Sequence, residues 1–273
     1  MRSTLIPMIK STDRYNLHTH SFYCRHGHGT IKEYCDEAER LSLELFGFSE
    51  HMPLPDGSFG RTRMHNDEIP LYLEDIEREG KSRSMTVLRG FECDYLPRFR
   101  DYFRYYLEEE KVDYLVNGVH FVQHGDRCVS PFEDRMSVDD VYRYHDQLIE
   151  ALDTGLFAFQ AHPDLIFASY RSWDKVAEAV SRDIIQFAID HRIPLEVNGN
   201  GMIKPKIGDE YQYPRRVFWS LASEMGAYCI RNSDCHEIEN LAKSRGMQEE
   251  FVNQCRLKRA YPLVRSGRLG FQF

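Results

Sequence analysis

A single parallel α/β barrel is the fold this sequence predicts, on three observations. Strand-like and helix-like segments alternate along the chain. About seven such units fit into its 273 residues. No low-complexity linker divides them, so residues 1–273 are read as one domain. An open, doubly wound sheet is the other architecture that the same alternation permits.

The first strand spans residues 15–20. After a Gly/His loop, Thr30 caps a helix whose apolar positions Ile31, Tyr34, Cys35, Ala38, Leu41 and Leu45 keep a 3.6-residue spacing. Residues 46–50 are the second strand, followed by a long polar loop over 52–70. Residues 71–79 are helical and 85–92 are the third strand. A helix over 98–111 precedes the fourth strand, 114–121. Residues 137–154 are helical, with 157–161 the fifth strand. The amphipathic helix 174–190 leads to the sixth strand, 194–197. A helix over 214–225 leads to the seventh, 227–233, and the chain then reads as helical to about residue 266.

Composition excludes several classes. With 42% hydrophobic and 13% aromatic residues the chain is globular, not disordered. No apolar run approaches the ~18 residues of a membrane span. The opening MRSTLIPMIK has only a short apolar patch broken by proline, so no signal peptide is expected. Seven cysteines without a CxxC pair fit reduced thiols and a cytoplasmic location. A net charge of −8 argues against nucleic acid as a partner, though a local basic pocket can still take a phosphate.

The twelve histidines carry the functional signal. In a parallel barrel, active sites gather where the strands end. Here strand one ends in His18-Thr19-His20 and strand two runs into His51. Strand three ends at Glu92, strand four at His120 and strand five at His162. Strand seven runs into Asp234-Cys235-His236, whereas strand six ends in Asn198. Side chains two apart on a strand share a face, so His18 and His20 can hold one ion together. The same rule pairs Asp234 with His236 and sends Cys235 to the opposite side, as packing. Helical His145 and His191 are read as structural. Burying the remaining set without metal would strand many polar groups.

The motifs HTH (18–20), HGHG (26–29), GFSEH (47–51), GFECDY (90–95), GVHF (118–121), AHPD (161–164), EVNGNG (196–201) and NSDCH (232–236) resemble the PHP (polymerase and histidinol phosphatase) family. CRHG (24–27), HMPLP (51–55) and RM (63–64) are most similar to its histidinol-phosphate phosphatases. The resemblance implies a distorted seven-stranded, TIM-like barrel and three metal positions. His18, His20, Glu92 and Asp234 would hold the first. Glu92 would bridge to a second, completed by His120 and His162, and His26, His51 and His236 would hold the third. An imidazole-rich set suits two or three zinc, manganese or iron ions. Where histidinol phosphatases often carry arginine after the sixth strand, this chain has Ile203, which leaves Lys204 and Arg171 as cations for a phosphate.

The activity implied is hydrolysis of a small phosphate monoester, L-histidinol phosphate first, by hydroxide bridging the first two metals. Arg63, in the loop over 52–70, is expected to face the substrate. Asp94 and Asp164 are candidates for the general acid, or for partners that orient a ligand histidine. A PHP enzyme for a nucleotide or sugar phosphate is the second reading, and a non-catalytic metal-binding barrel the third.

Overall fold

The computed structural model describes residues 11–109, 112–125 and 127–273. The opening residues read for a signal peptide, 1–10, lie outside them. The first half runs β1 (Tyr15–Asn16), α1 (Ile31–Arg40), β2 (Leu45–His51), α2 (Ile69–Gly80), β3 (Thr86–Cys93), α3 (Arg100–Glu108) and β4 (Tyr114–Asn117). A hairpin, β5 (Val122–His124) and β6 (Arg127–Val129), then precedes α4 (Val138–Asp153) and β7 (Phe159–Gln160). Next come α5 (Lys175–Asp190), β8 (Leu195–Asn198), α6 (Gly199–Ile203), α7 (Arg216–Met225), β9 (Tyr228–Asn232) and α8 (Ile238–Gln254). Three short strands end the chain: β10 (Lys258–Arg259), β11 (Tyr261–Arg265) and β12 (Arg268–Gln272).

The main sheet is parallel throughout, in the order β1-β2-β3-β4-β7-β8-β9-β10. Its first seven members are the seven expected strands. Beyond its last paired residue the β1 chain meets the chain beyond β9, which curls the sheet into a distorted barrel. Thr19 bridges Cys235 in parallel, and His20 N donates to Cys235 O at 3.0 Å. Lower on this seam, asparagine side chains replace ladder bonds: Leu17 N donates to Asn232 Oδ1 at 2.8 Å and Ser233 N to Asn16 Oδ1 at 2.6 Å. That substitution is why the first strand is regular over only two of the six residues expected.

Local chemistry fixes the helix starts. Thr30 and Glu33 form a reciprocal capping box at α1, as do Ser137 and Asp140 at α4. Asp174 caps α5 through the N–H groups of Val176 and Ala177. Helix α1 stops earlier than its apolar spacing suggests, because Ser42 turns into left-handed backbone (φ 56) and Leu45 opens β2. The hairpin β5–β6 follows the shortened fourth strand and was not read from the sequence.

The helical reading also fails after Gln254. Val264 is buried and Leu263 half-buried, an alternation of period two. Ser266 (φ 50) and Gly267 (φ 74) make the positive-φ pair that a two-residue hairpin turn requires. This hairpin packs against the inner core of the barrel, where Val264 joins Tyr15, Leu17, Leu45, Leu88, Tyr114, Val116, Phe159 and Ile230. Tyr114 crosses that core, its hydroxyl 2.8 Å from the Leu17 carbonyl. A Cβ at Gly47 or Gly90 would lie 2.3 or 2.5 Å from the Tyr114 side chain, so both positions must stay bare.

The helices cover the outer faces of the sheet over a second apolar core. All seven cysteines are free, and Cys235 is buried in that outer core as expected. No helix among the described residues is long and apolar enough to cross a membrane.

Candidate metal centre

The ends of the barrel strands deliver the histidines to one place. His18 and His20 follow β1 and are fully buried, and His51 is the last residue of β2, in register with Glu92 of β3. His120 follows β4, His162 follows β7, and Asp234 and His236 follow β9. His26 reaches in from the loop before α1 and is itself exposed. His162 (φ 28) and Asp234 (φ 48) hold left-handed backbone, which non-glycine residues adopt at a cost of ~1–3 kcal/mol and which concentrates at functional sites.

Three groups form. His18 Nε2 and His20 Nε2 lie 3.1 Å apart, 3.5 and 3.1 Å from Asp234 Oδ1 and 3.3 and 3.5 Å from Glu92 Oε2. The other oxygen of Glu92 faces His162 Nε2 at 2.9 Å and His120 Nε2 at 3.2 Å. His26, His51 and His236 make the third group. His51 also turns toward Glu92, its Nδ1 3.0 Å from Oε2. Gly118 permits this convergence, since a Cβ there would lie 2.4 Å from Glu92 Oε1. Burial opposes ionisation of Glu92 and Asp234, yet the surrounding imidazoles hold both carboxyls well below the usual carboxylate range.

A second layer orients these groups, and the sequence reading did not assign most of it. Glu196 Oε1 accepts from His18 Nδ1 at 2.9 Å, and Glu196 Oε2 from the His162 N–H at 3.1 Å. Asn198 and Asn232 donate to the same carboxylate. Glu50 accepts from the N–H and hydroxyl of Ser21, and its other oxygen lies 3.7 Å from His20 Nδ1. The alternation rule held the clue: Glu196 lies two residues before Asn198 on a buried strand, so it faces the barrel interior and needs partners.

The donor set fits divalent cations. Among the described residues, His20 Nδ1, His51 Nδ1, His162 Nδ1, His236 Nε2 and Glu92 Oε2 are buried without a hydrogen bond. With Nδ1 of His18 donating to Glu196, the neutral ring turns a bare Nε2 lone pair toward the oxygens of Glu92 and Asp234, an acceptor facing acceptors. A cation among them resolves the mismatch, and imidazole-rich sites suit zinc, manganese or iron.

A cavity of about 370 Å³ opens over the groups, lined by His26, His51, His120, Asp234 and His236 together with Thr62, Arg63, Phe121, Ser130, Phe132, Glu133, Asn200 and Lys204. Lys204 lies 4.2 Å from the centre of the Phe132 ring. Burial lowers its pKa, against a pull from Asp234. Arg171, the other expected cation, is exposed and outside this lining, with its carbonyl accepting from Arg215. Arg63 lines the cavity but is buried, its guanidinium paired with Asp94 and donating to Met52 O at 2.8 Å. Arg63 is thus held in the cavity wall by Asp94 and the Met52 carbonyl.

The two candidate acids, Asp94 and Asp164, sit in different surroundings. Asp94 accepts from the His120 N–H at 2.7 Å and contacts His120 Nδ1 at 3.0 Å. Burial opposes its charge, but His120 and Arg63 outweigh that and hold its carboxyl well below the usual carboxylate range. Asp164 is buried outside the cavity lining, with Oδ2 accepting from Arg215 N at 2.5 Å; burial raises its pKa to about 6. Helical His145 and His191 contact Asp146 and the Phe187 carbonyl, away from the site.

Residues 16–200 match the PHP domain. The Deinococcus radiodurans protein "Probable histidinol-phosphatase" is 27% identical over 228 residues, 81% of this chain and 85% of that protein. The HisK structure from Listeria monocytogenes superposes with a TM-score of 0.73 at 20% identity, covering 85% of this chain and 99% of that one. The histidinol phosphate phosphatase of Lactococcus lactis, solved with zinc, L-histidinol and phosphate, gives a TM-score of 0.68 at 14% identity over 94% of this chain and 98% of that one.

Proposed function

Because the chain belongs to the PHP domain family, we propose that it is a metal-dependent phosphatase whose substrate is L-histidinol phosphate. The observation that carries this reading is the convergence of His18, His20, His26, His51, Glu92, His120, His162, Asp234 and His236 under a cavity with a cation in its wall. His18, His20, Glu92 and Asp234 would hold one ion, Glu92, His120 and His162 a second, and His26, His51 and His236 a third. Bound divalent ions neutralise phosphate oxygens and lower the pKa of bound water from 15.7 towards ~7.

The protein's own residues supply the rest. Glu196 and Asp94 fix the ring orientation of His18 and of His120. Lys204, held against Phe132, offers a positive charge to the non-bridging oxygens of the ester. Phe121 and Phe132 offer apolar surface to the leaving group. The choice of L-histidinol phosphate is supported by the Deinococcus radiodurans and Lactococcus lactis relatives.

A second reading, another small phosphate ester such as a nucleotide or sugar phosphate, is favoured by one observation. Ile203 stands where the histidinol-phosphatase motif often carries arginine. The test is kcat/KM for L-histidinol phosphate, nucleotide monophosphates, sugar phosphates and p-nitrophenyl phosphate in manganese and in zinc. L-Histidinol phosphate is expected to lead the panel. A nucleotide or sugar phosphate ahead of it would move the assignment to the second reading, and hydrolysis of none would end the phosphatase reading.

A further inference from the structure

The lining of the cavity mixes two chemistries: the histidines, Asp234 and the ammonium of Lys204, which together suit a phosphate, and Phe121, Phe132 and Glu133. Asp234 is committed to His18 and His20, which leaves Glu133 as the one carboxylate in the lining not taken by the metal groups. Glu133 is exposed, and its side chain has no ion pair or hydrogen bond among the described residues.

Its position is set by a tight turn. Ser130 O accepts from Glu133 N at 3.1 Å and from Asp134 N at 2.9 Å, and Asp134 Oδ2 accepts from Ser130 N at 2.9 Å. Ser169 donates to Pro131 O and ties the turn to the chain after β7. Phe132, next to Glu133, lies with its ring centre 6.1 Å from that of His120. The turn therefore holds an apolar ring beside the metal groups and a free carboxylate next to that ring.

We propose that Glu133 is a specificity-determining residue: its carboxylate receives a primary ammonium group on the leaving group of the phosphate ester, whose carbon skeleton lies on Phe132. This rests on the phosphatase reading above and deepens it. An ester with negative charge at one end and an ammonium a few atoms away finds both a cation, Lys204, and an unpaired carboxylate, Glu133, in the same lining. A nucleotide or sugar phosphate has no such cation, and Glu133 gives it nothing.

The experiment compares kcat/KM for L-histidinol phosphate with kcat/KM for its des-amino counterpart, in the wild type, Glu133→Gln and Glu133→Lys. The wild type is expected to favour the amine, and Glu133→Gln to shrink that ratio about tenfold, as loss of one charge-assisted contact does. Glu133→Lys is expected to shrink it further. A ratio unchanged in both variants overturns the assignment of Glu133 while leaving the phosphatase reading intact. Failure of the metal-loaded wild type to hydrolyse either ester or p-nitrophenyl phosphate overturns the phosphatase reading and this inference with it.

Discussion

Glu196 Oε1 stands 2.9 Å from Nδ1 of His18, and neither side chain is reached by solvent. The contact fixes the His18 ring so that Nε2 faces His20, Glu92 and Asp234. An outer carboxylate of this kind both orients a ligand and raises its basicity. Glu196→Gln keeps the shape and removes the charge. Metal retention against a chelator is expected to weaken by ~10- to 100-fold. Unchanged retention by elemental analysis would show that Glu196 only fills space.

Lys204 and Arg171 separate by position. Lys204→Ala is expected to raise KM for a phosphate ester about tenfold with a smaller change in kcat. Arg171→Ala, outside the cavity, is expected to alter neither. Ile203→Arg restores the cation of the related motif, and kcat/KM for L-histidinol phosphate is expected to hold or rise. Steady-state kinetics on the three variants decide the matter, and a larger effect from Arg171 than from Lys204 would reverse the placement.

Arg63 and Asp94 form a buried pair, at 1% and 5% exposure. Truncating one member leaves the other charge without its partner, at a cost of ~3–5 kcal/mol. Arg63→Ala is therefore expected to lower the thermal midpoint by several degrees, and to lower kcat because His120 loses its fixed orientation. A variant with wild-type stability but a raised KM would return Arg63 to the role of a substrate contact.

Chelation is expected to destabilise the fold. Ions that bind only the native state add RT ln(1 + [L]/Kd), ~2.7 kcal/mol at one hundred times Kd. Removal also returns the facing carboxylates and imidazoles of the three groups to one another without a cation between them. Calorimetry before and after treatment, with readdition of zinc or manganese, is expected to show a fall in midpoint that the metal reverses.

Strand–helix alternation was legible because each parallel strand is a short apolar run bounded by turn residues. The polar residue ending each run, His51, Glu92 or His162, marks the same rim. What was missed has physical causes. β11 and β12 carry an alternation of period two that is short and broken by Pro262, next to a real helix. Glu50 and Glu196 sit within strands, and their importance depends on which histidine stands behind each. Arg63 lies in a polar loop, where sequence gives no reason to expect burial. Arg171 lies near AHPD in the chain, but the turn after that motif carries its side chain away from the cavity.

Gly118 has no side chain, takes no part in any reaction, and yet decides whether Glu92 can stand between two groups of histidines. Because the two oxygens of Glu92 face both groups, a change at this one carboxylate would reach both proposed ion positions at once. A mutation to alanine at Gly118 would strike both through a residue that no inventory of ligands contains. Lineages that abandon this chemistry are therefore expected to lose the small residue and the carboxylate together.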